Sequence, residues 1–164
     1  MLVLLDLDNT LVYVSPVWLD RSPHSSFRLG GEVFHIYPRP WLYEFLKRVR
    51  AIHRVGIWTA ASRPYAVAVL SAIFGPRWRQ STAIFRHRKH CTLCNGEFIK
   101  DLSRIPQTCV LLDDKECHAV YNARLGRRVL TCEEYWGSVH DTGLAHAWRM
   151  LRTLPLDTRR TVRV

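Results

Sequence analysis

The sequence predicts an α/β chain built on a central parallel sheet with helices packed on both faces. Two observations lead to that expectation. Short, wholly apolar runs alternate with longer segments whose apolar residues recur at helical spacing, the pattern of strand–helix–strand units. Three of the apolar runs also stop abruptly at polar residues: Asp6-Leu-Asp8, Thr59 and Asp113-Asp114. Open parallel sheets collect their chemistry at the carboxyl ends of strands. These coincident endings therefore mark a candidate site as well as a fold.

The elements follow in order. Leu2-Val-Leu-Leu5 is apolar on both faces, as a strand between two helix layers must be. From Val12 to Pro38 the pattern breaks up, with turn signals at Ser15-Pro16, Ser22-Pro23 and Gly30-Gly31. Between them Glu32-Val-Phe-His-Ile-Tyr37 is strand-like, so a hairpin-bearing insertion is expected over about 12–38. Pro40 opens a helix with Trp41, Leu42, Phe45, Leu46 and Val49 on one stripe and Lys47, Arg48 and Arg50 toward water. Val55-Gly-Ile-Trp-Thr59 reads as a second buried strand. Ser62 is the expected N-cap of a helix carrying Tyr65, Val69, Leu70 and Ile73, stopped by Gly75-Pro76. Ala83-Ile-Phe85, Cys109-Val-Leu-Leu112 and Val129-Leu130 read as further strands, and a last helix carries Leu144, Trp148 and Leu151.

A length of 164 residues suits one domain, expected over 1–154, with a basic tail over 155–164 that frays. Hydrophobic residues make up 48% of the chain, enough for a core, which excludes a disordered chain. The net charge of +10 predicts attraction to polyanions. No apolar run approaches the roughly 18–20 residues of a membrane span. Met1 to Leu5 runs into Asp6 without a basic stretch, so neither a membrane anchor nor secretion is expected. Five cysteines, an odd and sparse set, read as reduced thiols in the cytoplasm or nucleus rather than as a disulfide framework. Cys91 and Cys94, with His87 and His90, could supply zinc ligands, but they lack the distant second half that closes such sites.

The acidic strand ends carry the chemical argument. Two carboxylates about 4 Å apart repel by roughly 4 kcal/mol at an effective dielectric near 20, so a cluster needs a cation or shifted pKa values. A hard, all-oxygen site with open positions suits Mg²⁺ and a phosphate. Lys100 and Thr59 are the candidates to complement the phosphoryl charge, and a carboxylate attacking phosphorus gives an aspartyl-phosphate.

These residues match a family. Asp6-Leu-Asp-Asn-Thr-Leu-Val12 resembles the DxDx[T/V] nucleophile motif of the haloacid dehalogenase superfamily. Trp58-Thr-Ala60 resembles its second motif, Lys100-Asp-Leu-Ser103 its third and Leu111-Leu-Asp-Asp114 its fourth. Within the superfamily the chain is most similar to the small phosphatases of the RNA polymerase II carboxy-terminal domain, the NLI-interacting-factor-like family. Pro38-Arg-Pro40, Phe45-Leu46, Thr59-Ala-Ala-Ser62, Tyr65-Ala66, Phe85-Arg86, Phe98-Ile99 and Asp141-Thr142 add to the match, which runs from Leu2 to about Leu154. The resemblance implies a Rossmann-like haloacid dehalogenase fold with a small β insertion and no large cap.

Carried over residue by residue, it makes Asp6 the nucleophile and a metal ligand. Asp8 is the acid–base, with its backbone carbonyl on Mg²⁺. Thr59 and Lys100 hold the phosphoryl oxygens, Asp113 orients Lys100, Asp114 completes the metal site, and Arg86 lies near the substrate phosphate. Phe34 and Tyr37, with Trp18, could line a peptide groove or simply pack the hairpin. The chain departs from the family at Asn9, where an acidic residue is commoner, and at Asp114, an asparagine in some relatives. The segments before Pro38 and over 86–94 match least. The implied activity is a Mg²⁺-dependent protein serine/threonine phosphatase, a monomer acting on a phosphorylated protein such as the RNA polymerase II carboxy-terminal domain. Two other readings stay open: a nucleic-acid end phosphatase with the same chemistry, and a non-catalytic peptide-binding scaffold. The first is motivated by the charge, although the basic residues are scattered and lack an aromatic stacking platform. The second is disfavoured because Asp6, Asp8, Lys100 and Asp114 are all present.

Overall fold

The apolar runs become the strands of one sheet. The computed structural model describes residues 1–155, so the expected basic tail lies, from 156 on, outside the described residues. The chain begins with β1 (Leu2–Leu5) and then builds β2 (Val12–Ser15), β3 (Ser25–Leu29) and β4 (Glu32–Pro38). Next come α1 (Leu42–Ile52), β5 (Arg54–Trp58), α2 (Arg63–Phe74) and the two-residue β6 (Phe85–Arg86). A small hairpin, β7 (Thr92–Cys94) and β8 (Glu97–Ile99), precedes β9 (Cys109–Asp113). The chain then forms α3 (Glu116–Ala123), β10 (Arg128–Thr131) and α4 (Gly143–Leu151).

The main sheet has the order β10-β9-β1-β5-β6, and every pairing in it is parallel. Leu5 stands opposite both Ile57 and Leu112. One step further therefore sets Asp6 level with Trp58 and Asp113, and the polar endings emerge as one row. Alternation along the strands feeds two cores. Val3, Leu5, Val55, Ile57, Val110 and Leu112 face the larger one, shared with α1, α2 and α4. Leu2, Leu4, Trp58 and Leu111 face the smaller, closed by Leu102 and Ile105. Gly56 lies where β5 passes Ile84 and Leu4, and a side chain there would collide with both. The insertion folds as an antiparallel sheet, β2-β4-β3.

The expected elements shift at their ends for local reasons. The first helix starts after Trp41, not on it, because Trp41 adopts a left-handed φ of 68°. Its carbonyl still accepts from the Phe45 N–H at 2.9 Å, and Arg48 stacks over its ring. Ser62 occupies the N-cap of α2, but its side chain makes no capping bond, and the helix starts on Arg63 and Pro64. Pairing expected over 83–85 forms instead at Phe85 and Arg86. Helix α3 was not foreseen at all: it is only weakly amphipathic and buries His118 and Asn122 rather than an apolar stripe.

One buried side chain ties the periphery to the sheet. Arg39 donates to both carboxylate oxygens of Asp141 at 2.6 and 2.9 Å, to the Thr10 carbonyl at 3.1 Å and to the Glu133 carbonyl at 2.9 Å. It thereby joins the end of β4, the loop after β1, the segment after β10 and the start of α4. Removing one partner of a buried ion pair costs about 3–5 kcal/mol because the other charge stays behind. Arg39→Met is therefore expected to lose about 3–5 kcal/mol of stability in urea unfolding. A loss below about 1 kcal/mol, the worth of an exposed pair, would show that the clamp is dispensable.

Candidate active site

The row of strand ends is organised around Lys100. Its backbone follows β8, and its ammonium enters the sheet edge between β1 and β9. There the Nζ donates to Asp6 Oδ1 and, at 2.6 Å, to Asp113 Oδ2. All three side chains are buried. Burial alone would depress the lysine, but Asp6 and Asp113 hold it above its ordinary pKa and keep it charged. Burial pushes Asp6 well up, opposed by Lys100 and reinforced by Asp113 and Asp8. The second oxygen of Asp113 accepts from the Lys115 N–H at 2.9 Å, which fixes that carboxylate in place.

Asp8, two residues on, is turned away from this pair. Its Oδ1 accepts from the Tyr65 hydroxyl at 2.6 Å. Burial raises its pKa against the opposing Tyr65 hydrogen bond and Lys100 charge. A carboxyl so placed holds a proton more readily than a free one, as a general acid must. Tyr65 is itself supported by Phe27 and Phe34, which stack on each other and meet its ring edge-on. Burial and Asp8 keep its phenol far above the usual range, so it remains a donor. Thr59 is buried, and its Oγ1 accepts from the Ala61 N–H at 3.0 Å, leaving the hydroxyl proton free to donate.

The acidic residues also fit a hard divalent cation. Asp6, Asp113 and Asp114 each bring one carboxylate oxygen within 4.8 Å of the others, and among the described residues no other His/Cys/Asp/Glu group of three or more does so. Asp114 Oδ1 accepts from the Thr10 hydroxyl at 2.9 Å. Its Oδ2 is buried without a hydrogen-bond partner, with Lys115 Nζ 3.5 Å away. An all-oxygen donor set with a spare carboxylate oxygen suits Mg²⁺. The carboxylate of Asp8, facing Tyr65, is not part of this group, so only its backbone is left to serve as a ligand. His87, His90, Cys91 and Cys94 form no such group, and all five cysteines are free.

The other expected site residues are distributed unevenly. Arg86 stands opposite Trp58, with its guanidinium over that ring, and its carbonyl accepts from the Thr59 N–H at 3.1 Å. Phe34 is half-buried beside Tyr65. Tyr37 is wholly buried, its hydroxyl accepts from the Leu19 N–H and Arg21 covers its ring. It packs the small sheet and presents no face to a ligand. Three residues that touch the site had no role in the sequence reading. Tyr65 stands in the sequence as a member of a helical stripe and of the family match, and Thr10 as a position within the nucleophile motif. Asn122 donates to the Lys100 carbonyl and accepts from the Leu102 N–H, at 2.9 and 2.8 Å, holding the lysine's backbone. An amide on a short polar helix was the only signal for it.

The sequence and the fold of the chain match known proteins. The model of the NLI interacting factor-like phosphatase family matches residues 1–163. The chain is 29% identical over 163 residues to CTD small phosphatase-like protein 3 of Caenorhabditis elegans, covering 93% of this chain and 54% of that protein. It is 25% identical to Phosphatase PSR1 of Saccharomyces cerevisiae over 165 residues, 95% of this chain and 36% of that one. It thus spans about half or less of these relatives' length. The fold matches that of the fission yeast RNA polymerase II CTD phosphatase Fcp1, solved with beryllium fluoride. The TM-score is 0.64 at 19% identity, covering 92% of this chain and 49% of that one.

The orphaned Asp114 oxygen yields a test by binding alone. Mg²⁺ is expected to raise the melting temperature of the wild type, as any ligand selective for the folded state does. Asp114→Asn should weaken that binding by at least about 10–100-fold in a calorimetric titration, the range for losing even an outer partner of a metal site. Equal affinity in both proteins would remove Asp114 from the metal site.

Proposed function

This chain belongs to the NLI interacting factor-like phosphatase family, and from that premise we propose that it is a Mg²⁺-dependent phosphoprotein phosphatase acting on phosphoserine or phosphothreonine in an extended polypeptide. Residues 1–154 are read as one catalytic domain, working as a monomer inside the cell. The observation that carries the proposal is the pairing at the sheet edge of a buried, lysine-bound carboxylate, Asp6, with a protonatable carboxyl two residues on, Asp8.

The chemistry follows from these positions. Lys100 and the Thr59 hydroxyl hold phosphoryl oxygens, with Arg86 beside them. An Asp6 oxygen attacks phosphorus while the bond from phosphorus to the serine oxygen breaks, and the Asp8 proton passes to that leaving oxygen. Asp8, now a carboxylate, takes a proton from water as that water attacks phosphorus. The Asp6–phosphorus bond breaks, inorganic phosphate is released, and both carboxyl groups return to their starting forms. Mg²⁺, held by Asp6, Asp114 and the Asp8 backbone, supplies neutralisation of phosphoryl charge. Tyr65 aims the Asp8 carboxyl, and Asp113 aims Lys100.

The insertion supports a polypeptide substrate. Over 12–38 it is a three-stranded sheet rather than a large lid, so the site is open to a phosphate displayed on a chain. Phe34 and Phe27 pack on Tyr65, which holds the acid–base, an apolar surface that suits an apolar residue flanking the phosphoserine. The name of the structural neighbour Fcp1, an RNA polymerase II CTD phosphatase, suggests that polymerase's carboxy-terminal domain as one substrate of this kind.

Two substitutions separate the roles. Asp6→Asn keeps the shape and removes the attacking charge, so turnover is expected to fall by several orders of magnitude with the fold intact by circular dichroism. Retained turnover would make Asp6 a bystander. Asp8→Asn should slow phosphoserine-peptide hydrolysis by about 10²–10⁴-fold, the usual share of a general acid. It should slow an aryl phosphate less, since that leaving group departs without a proton. Equal losses on both substrates would rule out Asp8 as the proton donor.

A further inference from the structure

Next to the catalytic row a cavity of about 770 Å³ opens between the first turn of α2 and the loop after β6. Its charged lining has one sign only. Arg63 comes from α2, Arg79 from the turn beyond that helix, and Arg88 and Lys89 from the loop after β6. No carboxylate is among the described lining residues. His87 lies in the same wall, 7% exposed, and its Nδ1 has no hydrogen-bond partner.

Two of these cations, Arg79 and Arg88, are held in place by their neighbours. Arg79 is stacked over Trp78 and Phe85 at 4.7 and 5.2 Å. Arg88 lies over Phe98, and its Nε donates to the Ala60 carbonyl at 2.8 Å. The Arg88 N–H donates to the Ala61 carbonyl at 2.9 Å. One wall of the cavity is thus hydrogen-bonded to the residues that directly follow Thr59. Four like charges gathered around one hollow repel each other and focus a positive potential there. Arginine recognises a phosphate dianion through paired N–H groups, and lysine adds a point charge.

We propose that this cavity binds a second phosphate of the substrate, so that the preferred substrate is a doubly phosphorylated peptide. The proposal rests on the phosphopeptide reading above and adds a specificity to it. Chain geometry limits the spacing. Arg63 lies four positions after Thr59, at most about 13–14 Å of extended chain. A bound peptide rising about 3.3 Å per residue covers that distance in about four residues. The second phosphorylated residue therefore lies within about four positions of the one hydrolysed.

The test compares kcat/KM for serine peptides of one sequence bearing a single phosphate, or a second one two, three or four residues to either side. A 5′-phosphorylated oligonucleotide and an aryl phosphate complete the set. The enzymes are the wild type and the Arg63→Ala/Lys89→Ala double variant, both residues being exposed and outside the catalytic row. In the wild type at least one spacing is expected to improve kcat/KM by about tenfold or more, through KM, in line with a charge-assisted hydrogen bond. The double variant should lose that gain and keep its rate on the singly phosphorylated peptide. No gain in the wild type, or a gain the variant retains, overturns the second-phosphate site while leaving the phosphopeptide reading intact. Hydrolysis of the aryl phosphate but of no peptide overturns both. Preference for the oligonucleotide, abolished in the double variant, assigns the cavity to a nucleic-acid backbone and overturns the peptide proposal.

Discussion

A lysine buried between two carboxylates is the constraint on which the rest of this architecture depends. A lone ammonium taken out of water would cost several kcal/mol, a cost that Asp6 and Asp113 offset by both accepting from Lys100. That requirement reaches into the topology. Asp6 ends β1 and Asp113 ends β9, so the two strands must be neighbours, and parallel, for their ends to be level. Lysine 100 itself arrives from outside the sheet, after the β7–β8 hairpin, and α3 must pack close enough for Asn122 to hold its carbonyl. On the Asp114 side the triad's lysine does not reach: Asp114 Oδ2 has the Lys115 ammonium 3.5 Å away but no hydrogen-bond partner.

Arg39 plays the complementary role behind the site. Its bond to the Thr10 carbonyl fixes the loop that carries Asp6 and Asp8, while the Thr10 hydroxyl fixes Asp114. One residue of that loop thus connects the structural clamp to the candidate metal site. Asn9 fits the same economy of position. It has a positive φ of 58°, which asparagine tolerates better than most residues, and its amide donates to the Tyr135 carbonyl at 3.0 Å. An acidic side chain at that position could accept but not donate when ionised, so the departure from the family pattern is matched by a local partner.

What could be read from the sequence follows from which forces leave local traces. Buried parallel strands must be apolar on both faces, so β1, β5 and β9 announce themselves, and their abrupt polar ends announce Asp6, Thr59 and Asp113. Lys100 leaves no trace of that kind. In sequence it is an ordinary lysine: the charge of a phosphoryl group made it a candidate, and the resemblance to a family gave it a role. Tyr65 sits on α2 as its helical spacing with Val69 implies, but that spacing carries no sign of its hydrogen bond to Asp8. Tyr37 reads as a strand residue, yet His35, Ile36 and Tyr37 of β4 are all buried, and a strand pattern cannot say whether a buried tyrosine meets a ligand or its own Leu19 and Arg21. Helix α3 was missed because its burial is spent on His118 and Asn122, which no apolar periodicity reports.

The basic residues show the same limit most sharply. Arg79 and Arg88 each read as solvated surface in isolation, and a net charge of +10 says nothing about where charge is concentrated. The fold brings cations from three segments around one hollow, because β6 pairs with β5 and carries its following loop back over the start of α2. The catalytic row is held by buried ion pairs, which permit little variation. The hollow beside it is lined by exposed side chains resting on aromatic rings, where exchange of a single charge leaves the core untouched. A fold arranged in this way can keep one phosphoryl-transfer chemistry while its choice of substrate is rewritten at the rim.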